Sequence, residues 1–199
     1  MARMVKVWLA SIGALLLSAC FVSEAPLLTD KNARSRPLKP GPHVFCPVDD
    51  PDGENRQGDC EAVVVTRADD ASYVVTPLEE AEPGSVEAQM PDALILRFRR
   101  VARRGWLGQM TATDDPEAIY VYARGEKDGV FITVLWCPDA LAERVEPFVE
   151  AGAVTRRGGS IDLVCSVSGV EPLEAVARAY HRREVKARNG VLLTRRTDR

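Results

Sequence analysis

Few residues in this sequence could carry out nucleophilic or acid–base catalysis. A serine or cysteine nucleophile needs a base beside it, and the chain has only two histidines, His43 and His181. Ser160 follows two glycines, but it precedes a predicted strand, whereas the serine of a nucleophile elbow precedes a helix. We therefore expect a protein that is not an enzyme and that uses no cofactor.

The acidic segment at residues 49–55 invites a calcium interpretation. If Gly53 is the invariant glycine of a calcium loop, Val48 falls where the first carboxylate belongs, and Asp59 replaces the usual bidentate glutamate. We interpret the segment as a solvated turn without a metal. The aspartate pair at residues 114–115 is followed by proline, a pattern typical of turns, so we do not assign it to acid–base catalysis.

Three aromatic residues, Tyr120, Tyr122 and Trp136, lie on predicted neighbouring strands. They could line a groove for a lipid or an envelope glycan fragment, which leaves open a small-ligand carrier as an alternative function. Aromatic side chains on adjacent strands belong to the core more often than to a site, so we expect them in the core. A sheet-lined cavity of several hundred Å³ would favour the carrier, and a filled core with an exposed arginine hairpin would favour an interaction module.

Charge is distributed unevenly along the chain. Between residues 46 and 92 there are thirteen acidic residues and two arginines, whereas residues 178–199 hold eight basic and two acidic residues. Between them lies an arginine cluster, made of Arg97, Arg99, Arg100, Arg103 and Arg104. Such runs are usually solvated faces. The alternative is a basic interaction surface for anionic lipid headgroups or an acidic envelope polymer.

Four cysteines follow the N-terminal region: Cys46, Cys60, Cys137 and Cys165. An even count in an exported chain is typical of disulfides, and four cysteines allow three pairings. We prefer Cys46–Cys60 and Cys137–Cys165, because each pair is nearest in sequence. A metal site is disfavoured, since the sequence has no C-x-x-C pair and no ligand-like histidine spacing.

The N-terminus has the pattern of an export signal. Arg3 and Lys6 precede an apolar run at residues 7–17, which is too short for the roughly 20 residues that span a bilayer. Loss of Arg3 and Lys6 on cleavage changes the net charge from −3 to −5. The sequence Leu17-Ser18-Ala19-Cys20 then resembles the lipobox of bacterial lipoproteins.

The lipobox resemblance implies that the chain is cleaved before Cys20, whose thiol carries a diacylglyceryl group and whose new amine is acylated, for example with palmitate. Two or three acyl chains hold a protein stably at a membrane. In this class an aspartate after the cysteine commonly retains a lipoprotein at the inner membrane. Phe21 therefore favours the outer membrane, with the domain facing the periplasm. Nucleic acid is excluded as a partner by compartment.

Three segments also resemble a group of uncharacterised proteobacterial envelope lipoproteins: residues 20–28, the arginine hairpin at 98–110 and the sequence Trp136-Cys137-Pro138-Asp139. This resemblance carries over no activity. We therefore expect a lipid-anchored interaction or assembly module at the periplasmic face of the outer membrane. Its partner would be an envelope protein or an anionic envelope polymer.

Residues 20–40 lack periodicity and contain three prolines, which predicts an extended tether behind the lipid. A single domain then follows at residues 41–199. Period-two patterns predict strands in an antiparallel meander, with short runs assigned as follows: residues 43–47, 62–66, 72–76, 93–101, 106–112, 119–124 and 130–137.

The C-terminal third changes to helical spacing. One helix is predicted after Pro138, and a second follows a capping-box pattern at residues 168–171 and ends at Asn189-Gly190. Residues 160–167 and 191–195 are predicted as additional strands. The fold class is α+β, an antiparallel β-meander sheet with two C-terminal helices packed on it.

Overall fold

The computed structural model describes residues 20–48, 60–68, 70–78, 93–113, 117–137, 142–158, 164–185, 187 and 190–196. The first seven strands are β1 (Phe21–Ser23), β2 (Gly41–Val48), β3 (Glu61–Arg67), β4 (Tyr73–Pro77), β5 (Leu94–Ala102), β6 (Gly105–Ala112) and β7 (Ala118–Gly125). The later elements are β8 (Gly129–Val134), α1 (Ala142–Glu150), β9 (Val154–Arg157), β10 (Val164–Val167), α2 (Val170–His181) and β11 (Gly190–Arg195).

Eight strands close into an antiparallel barrel. Strands β2 to β8 pair in sequence order, as the predicted meander requires, and β11 pairs with β8 on one side and with β2 on the other. The antiparallel sheet and the two helices were predicted correctly, but the sheet is closed rather than open. Closure depends on the long-range pairing of β11, which a period-two pattern does not specify.

The barrel interior is filled by side chains. Residues from seven of its strands meet in one apolar cluster, and only the interior is shared by all of them: Val63, Val65, Tyr73, Val75, Leu96, Phe98, Trp106, Ala123, Val130 and Leu193, together with Leu38 from the N-terminal segment. The rings of Tyr73 and Phe98 meet edge-on with centroids 6.0 Å apart. Gly108 faces this cluster, and a Cβ there would lie 2.5 Å from Val121. An eight-stranded barrel is just wide enough for such filling.

A second core covers the outer wall of the barrel at β6 and β7. Helix α2 packs on this wall with one apolar stripe, formed by Leu173, Val176, Ala177 and Tyr180. Helix α1 packs on α2 and β9, and Val145 is its buried contact. The stripe of α2 was predicted, but its capping box was wrong. Gly169 is the N-cap without a side-chain cap, and the hydroxyl of Ser168 instead donates to the Ala153 carbonyl.

The N-terminal segment is packed against the barrel and does not form the predicted extended tether. Strand β1 pairs antiparallel with β7 and parallel with β10, and β9 completes this small side sheet. Phe21 and Leu28 are fully buried, because both side chains pack into the apolar cluster on the outer wall of the barrel. Residues 1–19 lie outside the described part of the chain.

Both disulfides have the predicted pairing. Cys46 is joined to Cys60 with their Cα atoms 4.4 Å apart, and Cys137 to Cys165 with 6.0 Å between Cα atoms. The second bridge ties the side sheet to the end of β8. The helix expected to end at Asn189-Gly190 ends at His181 instead, and Gly190 begins β11. None of the described helices is long and apolar enough to cross a bilayer.

Candidate functional site

One end of the barrel concentrates basic side chains. Strands β3, β5, β7 and β11 end there, and β2, β4, β6 and β8 begin there. The segment before β2 crosses the same end, where the Ser35 amide donates to the Phe98 carbonyl over 3.0 Å. We call five arginines of this end the arginine rim: Arg36, Arg67, Arg100, Arg103 and Arg195. All five are exposed.

Tyr73 is a buried residue of the barrel interior whose hydroxyl lies near two arginines of the rim, Arg36 and Arg67. Its ring is buried, and its hydroxyl donates to the Leu38 carbonyl over 2.9 Å. Arg67 and Arg36 lie close enough to act on this hydroxyl. Burial raises the pKa of Tyr73 by more than the two positive charges lower it. The phenol is therefore a neutral, fixed support under two guanidinium groups.

The arginine cluster predicted from the sequence divides between two places. Arg97 and Arg99 project from the outer wall of β5 and form ion pairs with Asp70 and Glu174, respectively. The charge of each of these arginines is already balanced by a carboxylate. These two residues therefore do not belong to the exposed basic surface that we predicted.

The other three predicted arginines lie at the basic end. Arg104 donates from Nη2 to the Glu126 carbonyl over 2.7 Å, which holds the β5–β6 turn against the β7–β8 turn. Arg100 and Arg103 form no ion pair with any residue that the structure describes. They are free to meet a partner.

Acidic groups at this end are few among the described residues. Asp70 is engaged by Ser72 and Arg97, whose hydrogen bonds lower the pKa of its carboxyl below the usual range. Glu126 accepts from Nε of Arg124 over 2.6 Å. Asp128, in the β7–β8 turn, is a third carboxylate at this end and is exposed. Because Asp70 and Glu126 are used locally, the described basic side chains of this end still outnumber the free carboxylate.

The rim includes three arginines that the sequence analysis missed: Arg36, Arg67 and Arg195. They are separated by tens of residues, so no local pattern groups them. A signal was available for two of them, because Arg67 and Arg195 are the last residues of their strands. Assigning them to one surface requires knowing which strand ends share an end of the barrel.

Cys20 lies immediately before β1. The Cys165 amide donates to its carbonyl over 3.0 Å, and it bridges to Trp136 on the other side. Cys20 is free of any disulfide and buried, and burial raises the pKa of its thiol to about 11. Residues 17–19, which resemble the start of a lipobox, lie outside the described part of the chain.

The other residues considered as site candidates do not come together in one place among the described residues. Tyr120 and Tyr122 are buried in the outer core, as expected. His43 is buried at the basic end with Nδ1 2.9 Å from the Gly41 carbonyl, whereas His181 ends α2 on the outer wall. The two histidines therefore belong to different layers. The acidic residues 49–55 and 114–115, and Ser160, lie outside the described residues.

Two clefts in the described part of the chain both lie outside the barrel. One, of about 300 Å³, is lined by Pro26, Leu28 and the Asp70–Arg97 pair. The other, of about 370 Å³, lies between the N-terminal segment and the β9–β10 ladder. Neither is the sheet-lined internal cavity that a carrier would use.

Comparison of the chain with protein-family models, with curated proteins and with solved structures finds no match. The geometry of the rim and the sequence around Cys20 are therefore the features from which a function can be inferred.

Proposed function

We propose that this chain is a lipid-anchored interaction module of the bacterial envelope, without enzymatic activity, that meets its partner through the arginine rim. The observation that carries the proposal is the combination of a filled barrel with exposed arginines that lack ion pairs within the described chain. A filled barrel is a rigid support, because closely packed interiors resist deformation.

The proposed anchor is lipid on Cys20, supported by the lipobox Leu17-Ser18-Ala19-Cys20. Because residues 20–40 pack on the barrel, this lipid would hold the domain directly at the membrane rather than on a long leash. The proposal also requires that the sulfur of Cys20, which is buried here, faces outward in the mature chain once residues 1–19 are removed.

The anchor is tested by intact-mass analysis of the protein purified from bacterial membranes. We expect a chain that begins at Cys20 and carries the added mass of a diacylglyceryl group and an amide-linked fatty acid. We expect Cys20→Ser to carry no lipid and to be released from membranes by a high-salt wash that leaves the original protein attached. A retained leader or an unmodified Cys20 thiol would refute the lipoprotein assignment.

The role of the rim is tested by site-specific photocrosslinking in living cells. A crosslinker at position 103 should capture a defined envelope component, whereas the same group at Arg157, exposed on β9, should not. Equal capture at both positions would contradict a rim-directed partner.

The alternative is a carrier of a lipid or an envelope glycan fragment, which would need a sheet-lined cavity inside the barrel. Tyr73, Phe98 and Trp106 occupy the space a ligand would need. We therefore propose the interaction module alone.

A further inference from the structure

We propose that the arginine rim docks on the phosphate headgroups of an anionic phospholipid bilayer, the same membrane that the lipid on Cys20 would enter. This inference deepens the proposed function and rests on it. The sequence analysis considered a basic surface made of one local cluster. The geometry points to a different set, drawn from the N-terminal segment and from β3, β5, the β5–β6 turn and β11.

The first argument is charge complementarity. Arg36, Arg67, Arg100, Arg103 and Arg195 share one end of the barrel and are all exposed. The exposed Lys39 and Lys127 add to the positive charge of this end, and the exposed Asp128 reduces it by one. A guanidinium is a planar fork of donors that matches phosphate oxygens. Basic residues near an anionic bilayer gain about 1 kcal/mol each, which falls off within the screening length of the salt.

The second argument is the contrast between the rim and the other arginines. Several arginines outside the rim are paired with a carboxylate, as Arg99 and Arg178 are with Glu174. Arg100 and Arg103 follow within four residues of Arg99, yet no described carboxylate pairs with them. Their positive charge is directed away from the protein.

The third argument is the position of Cys20 relative to the rim. Val22 pairs with Ile119 in an antiparallel ladder, so Cys20 lies further toward the end at which β7 reaches Gly125. At about 3.4 Å per residue, the four residues of β7 between the level of Cys20 and Gly125 correspond to about 14 Å along the strand. A lipid and a polybasic surface this close form the two-signal arrangement that gives stable membrane attachment.

Both contacts together would fix the orientation of the barrel. A lipid on Cys20 alone would leave the domain free to rotate about one attachment point. A second contact at the rim would limit this rotation, because two points on the outer wall of the barrel would then touch the membrane. The side of the barrel that carries both Cys20 and the rim would then face the headgroups, and the opposite end, where β2 and β3 are joined by the Cys46–Cys60 disulfide, would lie on the far side of Cys20 from the rim.

The test uses the chain from residue 20 with Cys20→Ser, which lacks lipid but contains every described element. It is sedimented with phosphatidylcholine vesicles that do or do not contain phosphatidylglycerol. We expect binding to the anionic vesicles alone, weakened by salt. Arg100→Gln with Arg103→Gln should lower the partition coefficient roughly 30-fold. The matched control, Arg156→Gln with Arg157→Gln on β9, removes the same charge and should have little effect.

Three results would overturn the proposal. They are equal binding to neutral vesicles, equal loss in the two double variants, and binding of the soluble acidic polymer polyglutamate without binding to anionic vesicles. The last would make the rim a site for an acidic polymer instead. Near-ultraviolet circular dichroism checks that each double variant is folded before its binding is compared. Because this chain carries no lipid, failure of the rim is distinguishable from failure of the Cys20 anchor, which intact mass tests separately.

Discussion

The phenol oxygen of Tyr122 lies 2.8 Å from Nδ1 of His181, and this contact joins the outer wall of the barrel to the last residue of α2. Burial raises the pKa of Tyr122 to about 12, so the phenol is protonated at neutral pH, and it can donate to Nδ1 in the tautomer that leaves this nitrogen without a proton. Gly105 lies beneath the same ring, and a Cβ there would be 2.6 Å from Nδ1. The missing side chain at residue 105 lets the helix end close on the wall.

Gly105→Ala should therefore destabilise the fold by pushing His181 away from Tyr122. We expect the free energy of unfolding to fall by roughly 1–3 kcal/mol, as for other overpacked sites. Urea denaturation measures it. The backbone at Gly105 is not left-handed, so the cost comes from the contact. In a His181→Ala background the same substitution should cost at least about 0.5 kcal/mol less. Equal costs in both backgrounds would show that the imidazole is not what Gly105 accommodates.

Gly108→Ala tests whether the barrel interior is filled. The new Cβ would lie 2.5 Å from Val121 and 3.0 Å from the ring of Phe98, so we expect a loss of roughly 1–3 kcal/mol in urea denaturation. Val121→Ala should relieve the overlap, and the double variant should be more stable than the sum of the single effects predicts. A Gly108→Ala protein as stable as the original would mean that the interior has unused space.

Gln109→Met should release the N-terminal segment from the wall. Oε1 of Gln109 accepts from the buried amide of Leu28 over 2.7 Å, and an unsatisfied buried amide costs roughly 1–3 kcal/mol. Hydrogen exchange at the Leu28 amide should accelerate along with the loss of stability. Asn32→Ala is the control, because Asn32 bonds the same segment at a more exposed position and should cost less. Unchanged exchange at Leu28 would rule out this attachment.

Glu61→Gln should stabilise the protein at neutral pH. Oε2 of Glu61 is buried and has no hydrogen-bond partner among the described residues, and burial raises the pKa of the carboxyl. A raised folded pKa gives stability that is complete below the unfolded value of about 4.3 and is lost as the pH rises through the folded value. Glutamine cannot ionise, so the variant should be more stable than the original at pH 7 and equal to it near pH 3.

Urea denaturation at the two pH values measures this difference. Glu126→Gln is the matched control, since Glu126 is paired with Arg124 and should gain nothing at pH 7. A gain in the Glu61→Gln variant that is the same at both pH values would show that ionisation is not its cause.

The strands of the meander could be predicted from the sequence because their periodicity is local. In β5, Leu96 and Phe98 alternate with Arg97 and Arg99, and the structure places the first pair inside the barrel and the second pair outside. The disulfide pairing was equally accessible, since each cysteine pairs with its neighbour in sequence.

The rest required information that no local window contains. Strands β1 and β9 have three and four residues, which is too few for an alternating pattern to be recognised. Strand β1 forms because its backbone pairs with β7 and β10. The rim depends on barrel closure, because Arg67 and Arg195 share a surface only when β11 returns to pair with β2. The burial of residues 20–40 was not predicted, because the three prolines of this segment suggested an extended linker.

The insertion of β1 between β7 and β10 has a mechanical consequence. A force that pulls on residue 20 runs along the axis of β1 and loads its hydrogen bonds to both neighbouring strands in shear, so that they must break together rather than one after another. Part of the force on β10 passes through the Cys137–Cys165 disulfide to the segment that follows β8. Extraction by the N-terminus would therefore meet the resistance of the barrel wall itself.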